Sequence, residues 1–288
     1  RETAHPLTAP LADRAERLLD RPMGASQRIL LGTLAFYLLW TGQIQRLDRI
    51  IVKVDRLCAA SDAAPGTLLR WYGVSVVIRA LLGRVDEALV HAQRALALAE
   101  LGPAQIRARA HLLLVLAAVA GRDRTLARTH LQHTAVLLDA GNAIDSTTYE
   151  FQRGLLMLLD ADWTGADRQM RSAVASGQAS GWPLREHIAL LGQALASIQI
   201  GDLDAAQTTL RLVHAHSFHT VCRFHHWLAA LIEAHLAERL GQRARALDAL
   251  RRAFANGREC GFDFGPLPFV CGGMMPHLAA LALEHDID

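Results

Sequence analysis

Apolar positions along this chain fall into two kinds of segment that alternate. One kind is apolar around most of its circumference, as in Ile29 to Trp40, Leu112 to Ala120, Leu155 to Leu159 and Ile188 to Leu191, the mark of a helix covered on several sides. The other kind is amphipathic with helical spacing, and a small turn joins the first to the second. These turns are Thr41-Gly42-Gln43, Leu82-Gly83-Arg84, Ala120-Gly121-Arg122, Ile200-Gly201-Asp202 and Leu240-Gly241-Gln242, with Asp160-Ala161-Asp162 falling midway in the gap. Successive turns lie 41, 38, 40, 40 and 40 residues apart. A fixed period of this size is the signature of a solenoid built from one repeated helical unit.

Five residues after each turn stand Leu47, Ala88, Leu126, Ala166, Ala206 and Ala246, and twelve after stand Val54, Ala95, His133, Ala173, Val213 and Ala253. The two offsets share one face of a helix, and small side chains there let neighbouring helices approach closely. Glycine suits the turn because the first helix must end in a left-handed residue before the chain reverses. Ala161 lacks that freedom, so its helix end is expected to differ. Between the pairs lie breakers: Ala64-Pro65-Gly66, Leu101-Gly102-Pro103, Ala140-Gly141-Asn142, Ser180-Gly181-Trp182-Pro183 and Glu259-Cys260-Gly261. With no strand-like alternation of useful length, the expected fold is all-α. It is a right-handed superhelical solenoid of about six to seven antiparallel helix pairs, one domain over 1–288 with a closing helix at about 273–285.

Composition narrows the function classes. Thirty Lys and Arg oppose 28 Asp and Glu, so the net charge is only +2. That balance argues against an electrostatic grip on nucleic acid or an anionic membrane. Lys53 is the sole lysine. Cys58, Cys222, Cys260 and Cys271 lack the paired spacing of a disulfide framework or a zinc ribbon, and a reducing, cytoplasmic setting is expected. The longest apolar runs fall short of the roughly 20 residues that a membrane span needs. The chain opens on Arg1-Glu2-Thr3-Ala4 with no basic and apolar leader, and a piece of a longer polypeptide is expected.

The stretch Gly83-Arg84-Val85-Asp86-Glu87-Ala88, with Ala95 seven residues on, resembles the second half of a tetratricopeptide repeat, as does Gly201-Asp202-Leu203-Asp204-Ala205-Ala206. The forty-residue period is similar to that of the helical repeat domain of MalT-like bacterial transcriptional activators. So is the tail, an apolar and aromatic loop followed by Met275-Pro276-His277-Leu278. This tail has Gly272-Gly273-Met274-Met275 where that group usually shows tryptophans and an Arg. The resemblance implies a sensor domain for a small inducer or a regulatory protein, with ATPase and DNA-binding activities in other domains of the same polypeptide.

In a tetratricopeptide stack the first helices line the concave groove. Polar residues within those apolar segments are informative because a charge withdrawn from water costs several kcal/mol unless paired. Arg79, His111, Glu150, Arg153, Glu186, His235 and Glu238 stand out. Arg79 or Arg153 is a candidate for holding an anionic ligand group through its planar fork. The alternative for each is neutralisation by a neighbouring helix. Phe36, Tyr37, Trp40, Trp71, Tyr72, Tyr149 and Phe151 fall on first helices or their entries, either as packing between repeats or as an aromatic strip. The candidate ligand-binding set is Tyr72, Arg79, His111, Phe151, Arg153, His235 and Glu238.

His214, His216, His219, Cys222, His225 and His226 supply metal-ligand types, but their spacing matches no closed site and spans a helix end. No metal or cofactor is expected there. His130 and His133 read as core histidines that bond across helices. Asp160 and Asp162 sit where Asp caps a helix. With no His-Glu-x-x-His, Gly-x-Ser-x-Gly or phosphate loop, an enzyme is not expected. The functional expectation is therefore a sensing domain, with a scaffold that holds a peptide or subunit as the alternative.

Overall fold

Every regular segment among the described residues is a helix. The computed structural model describes residues 8–18, 25–59, 64–139, 141–216, 222–262 and 274–287. After α1 (Thr8–Leu18) come six antiparallel pairs: α2 (Ala25–Trp40) with α3 (Ile44–Ala59), α4 (Pro65–Leu81) with α5 (Val85–Ala99), α6 (Ala104–Ala120) with α7 (Arg124–Leu137), α8 (Ala143–Leu159) with α9 (Trp163–Ala179), α10 (Pro183–Ile200) with α11 (Leu203–Ala215), and α12 (Arg223–Arg239) with α13 (Arg243–Cys260). The closing helix is α14 (Met274–Glu284), within the predicted 273–285. Residue 273 and the loop before it lie outside the described residues. No helix among the described residues is long and apolar enough to cross a membrane.

Each first helix packs against the first helix of the next pair, from α2 through α4, α6, α8 and α10 to α12. The second helices form the outer layer. The last pair then returns to the first. The Trp40 ring stands edge-on to Phe224 with centroids 6.0 Å apart, and tilted against His225 at 5.6 Å. Gly42 lies so close to α13 that a Cβ there would sit 2.3 Å from Cys260 Sγ. The stack thus makes one turn whose ends touch.

The breakers do their expected work. Pro65 and Pro183 open α4 and α10 at positions where a missing N–H costs nothing. Asn142, Asp123, Asp162 and Asp202 each accept a backbone N–H three residues on, as helix caps do.

Two expectations about the turns need correction. Ala161 adopts the same left-handed conformation as the glycines, with φ +60° against +74° at Gly42 and +75° at Gly83, so its helix end does not differ. In the third repeat the left-handed residue is Arg122, φ +59°, while Gly121 keeps φ −81°. Gly121 is small for another reason, since a Cβ there would sit 2.7 Å from Val85 Cγ1 of the preceding pair. Counting from Arg122, the interface positions of that repeat become Ala127 and Thr134, both fully buried. Leu126 is only half-buried and His133 is exposed. In the other repeats the predicted residues Leu47, Ala88, Ala95, Ala166, Ala173, Ala206, Val213, Ala246 and Ala253 are fully buried, with Val54 nearly so.

Close approach is most demanding at Gly177 of α9, where a Cβ would lie 2.9 Å from the backbone nitrogen of Glu186. Backbone cannot rotate away as a side chain can. We expect Gly177→Ala to destabilise the protein by about 1–3 kcal/mol through overpacking, despite the gain in helix propensity. Ala161→Gly should stabilise it by about 1 kcal/mol, because the left-handed conformation costs a Cβ-bearing residue roughly that much. Urea unfolding of the two variants gives both signs, and a stable Gly177→Ala would show that the α9–α10 spacing is soft.

Candidate ligand cavity

The inner faces of α2, α4, α6, α8 and α10 enclose a cavity of about 610 Å³. Its wall is built by Leu69, Val77, Leu113, Leu116, Leu155 and Ile188, among others, with Phe36, Trp40 and Trp182. Four of the five, α2, α6, α8 and α10, carry the segments that read as apolar all round, because one side packs on the neighbouring pairs and another faces this space. The volume falls within the range typical of small-molecule sites.

Few polar groups reach the wall. Asp145, at the first turn of α8, accepts from Arg109 Nε at 2.8 and 3.1 Å. Arg185 enters from the first turn of α10. Its guanidinium lies 4.5 Å from the centroid of Phe151 and 4.7 Å from that of Trp182, so two ring faces hold the cation. Its Nε is buried without a hydrogen-bond partner. Burial pulls the Arg185 pKa down to about 10, and no carboxylate offsets that effect. Next to Phe151 on α8, Gln152 is 4 % exposed and its Oε1 is likewise buried without a partner.

Of the seven residues predicted to bind a ligand, only Phe151 lines this cavity. Arg79 is 3 % exposed and committed within the protein. It pairs with Asp55 of α3 and with Glu87 of α5 at 2.8 Å, and donates to Ser75. Ser75 also meets His91 Nδ1 at 2.8 Å, Trp71 Nε1 donates to Asp55 at 2.9 Å, and Tyr72 stands edge-on to His91. Tyr72 and Arg79 thus belong to a structural knot joining α3, α4 and α5. Arg153 is exposed. His111 stacks on His130 and His133 across α6 and α7. His235 bonds to Gln199 at 3.0 Å, and Glu238 pairs with Arg243 and His277. The predicted aromatic strip divides, with Phe36, Trp40 and Phe151 on the cavity and Trp71 and Tyr72 in the knot. Arg185 and Gln152 were not singled out from the sequence.

A second depression, about 760 Å³, lies between α11, α12 and α13. Most of its charged groups pair with one another, His214 with Glu233, Glu233 with Arg252, and Arg252 with Asp248, while Arg211 and Arg245 bond to Thr208 and Gln242. The histidine-rich stretch divides. His214 turns to Glu233, whereas His216, which also pairs with Glu186 at 3.3 Å, and His225 both pack their rings against His187, while His219 lies outside the described residues. Among the described residues no group of three His, Cys, Asp or Glu is arranged to hold a metal ion. Cys222 and Cys260 are free thiols, and burial pushes the Cys222 pKa up.

No family model and no curated protein matches this chain. Among solved structures it is similar to the crystal structure of a Rap protein complexed with competence and sporulation factor. The TM-score is 0.61 and the identity 11 %, over 91 % of this chain and 72 % of that one. At that identity the likeness establishes the fold, a tetratricopeptide-like helical repeat.

Two expected outcomes follow from the buried polar groups. Arg79→Ala removes the centre of the knot but leaves Asp55 its bond from Trp71 and part of its access to water, and should cost about 1–3 kcal/mol in urea unfolding; an unchanged midpoint would mean that the knot carries no stability. Burial lowers the pKa of His91, His111 and His235 from 6.5 to about 4. Between those values the unfolded chain binds more protons than the folded one, so stability falls as pH drops from about 6.5 towards 4. His214, raised by its bond to Glu233, acts in the opposite sense, its contribution being lost as pH rises through its elevated pKa. The His130 pKa is lowered by burial as well, and four histidines against one make the net slope positive, so the melting temperature should be lower at pH 5 than at pH 7. His235→Gln should flatten that slope, and a melting temperature that rises on acidification would refute the assignment.

Proposed function

We propose that this chain is a recognition domain that takes a ligand in the cavity enclosed by its first helices, and that it is not itself an enzyme. The observation that carries the reading is the wall: an apolar lining contributed by five successive repeats, interrupted by an aromatic-held cation and a buried amide with unmet hydrogen-bonding capacity. Most buried polar groups in folded proteins are hydrogen-bonded, so two unpartnered atoms on residues of one wall favour a ligand there. The resemblance of the forty-residue period and the closing segment to MalT-like activators supports a cytoplasmic sensing role within a transcriptional regulator, whose nucleotide- and DNA-binding activities belong to other parts of the polypeptide. The Rap structure is of a complex with competence and sporulation factor, which fits a fold of this kind serving recognition. The reading frame that encodes the chain tests the regulatory setting, through an upstream phosphate-binding loop and a downstream DNA-binding helix.

The cavity is tested directly with N-phenyl-1-naphthylamine, a neutral apolar probe whose fluorescence rises on burial. Gly73 lines the space, and a Cβ there would meet only Leu113 Cδ1 at 3.8 Å. Gly73→Leu therefore fills the cavity without a backbone clash, and replacing a helical glycine gains roughly 0.5–1 kcal/mol of stability. We expect saturable one-to-one binding to the parent protein and at least tenfold weaker binding to the variant. Equal binding to both would remove the cavity as the ligand site.

A further inference from the structure

Arg185 and Gln152 present polar atoms to the same wall, and neither is satisfied there. A buried polar group without a partner costs roughly 1–3 kcal/mol, and a charged one more. Stacking between Phe151 and Trp182 fixes the guanidinium plane of this partly buried side chain and leaves its Nε without a hydrogen-bond partner. The second arginine well placed on the wall, Arg109, is committed to Asp145, and Arg70 is exposed to solvent. The cavity thus offers a single uncommitted, oriented cation at one end of a long apolar lining.

We infer that the cavity binds an apolar monocarboxylate, its carboxylate on Arg185 and its body along the inner faces of α4 and α6. This rests on the recognition reading above and adds the ligand's charge and class. A carboxylate matches the planar fork of a guanidinium with two parallel bonds. Gln152 supplies an amide NH2 when its side chain turns over, an orientation set by the hydrogen-bond network. A dianionic phosphate would bring a second charge, and the other cations lining the wall are Arg109, committed to Asp145, and Arg70, which stands exposed to water rather than beside Arg185 in the ring clamp. An extended peptide is a poor occupant for a different reason. Each of its residues brings an N–H and a C=O that must be satisfied, and the lining of Leu, Val, Ile and Phe offers few partners. A free small molecule carries its polar atoms at one end and asks nothing of the rest of the wall.

The test is displacement of bound N-phenyl-1-naphthylamine by decanoate, decanol, decyl phosphate and trileucine at pH 7.5, with the full chain and its Arg185→Gln and Arg185→Lys variants. Decanoate should displace the probe at concentrations at least tenfold below those of decanol. In Arg185→Gln, decanoate should fall to the decanol level, with decanol and probe binding unchanged. Because Arg185 pairs with no carboxylate, this variant strands no buried charge, and in the absence of ligand its melting temperature should fall by no more than the loss of the two ring contacts brings. Arg185→Lys should restore only part of the preference, since it keeps the charge and loses the fork. Equal displacement by decanoate and decanol, or a preference that survives in Arg185→Gln, overturns the inference while leaving the cavity a ligand site. Tighter displacement by decyl phosphate or trileucine overturns it in favour of a different class. Failure of the neutral probe to bind removes the recognition reading itself, and this inference with it.

Discussion

The architecture depends on how closely the second helix of each pair lies against its neighbours. Residues such as Ala88, Ala95, Ala166, Ala173, Ala206, Ala246 and Ala253 are fully buried at that contact, and glycine appears where even a methyl group would meet backbone. Small side chains fix a short spacing between axes and leave little room for alternative packing angles. Repeated at intervals of about forty residues, the same contact bends the stack consistently. The first helices are thereby turned towards a common centre and enclose a space that no single pair defines.

Much of this was legible in the sequence. Turn spacing revealed the period, proline and glycine clusters marked the pair boundaries, and alternation between all-round apolar and amphipathic helices separated the inner layer from the outer. The third repeat is shifted by one residue from the expected register, because the left-handed conformation is taken by Arg122 and not by Gly121. Its smallness answers to Val85 in the preceding pair, a demand that comes from across the interface and leaves no local mark. Arg122 and Ala161 accept the left-handed conformation because the cooperative reversal of the chain outweighs a cost of roughly 1–2 kcal/mol.

The site was harder to see. An arginine inside an apolar run correctly signals burial, and Arg79 is buried, but its partners Asp55 and Glu87 sit on two other helices. Arg185 sits two residues after a proline in the first turn of a helix, where a polar residue attracts no notice. What distinguishes it is the pair of rings around it, and Phe151 belongs to the preceding repeat. The usable signal was a long breaker carrying a tryptophan, Ser180-Gly181-Trp182-Pro183, at the mouth of an unusually apolar helix.

In a linear solenoid each repeat touches only its neighbours, and stability is close to a sum of neighbour terms. This stack departs from that arrangement in two places. One is the seam where Trp40 meets Phe224 and His225. The other is the cavity, whose wall runs from Phe36 and Trp40 on α2 to Arg185 and Ile188 on α10. Trp40 belongs to both. A molecule seated against the wall therefore contacts a residue that also closes the ring, and any difference in its affinity for the closed and opened arrangements appears as a shift between them. Local packing built the enclosure, and the enclosure is what gives distant repeats a shared contact on which a ligand acts.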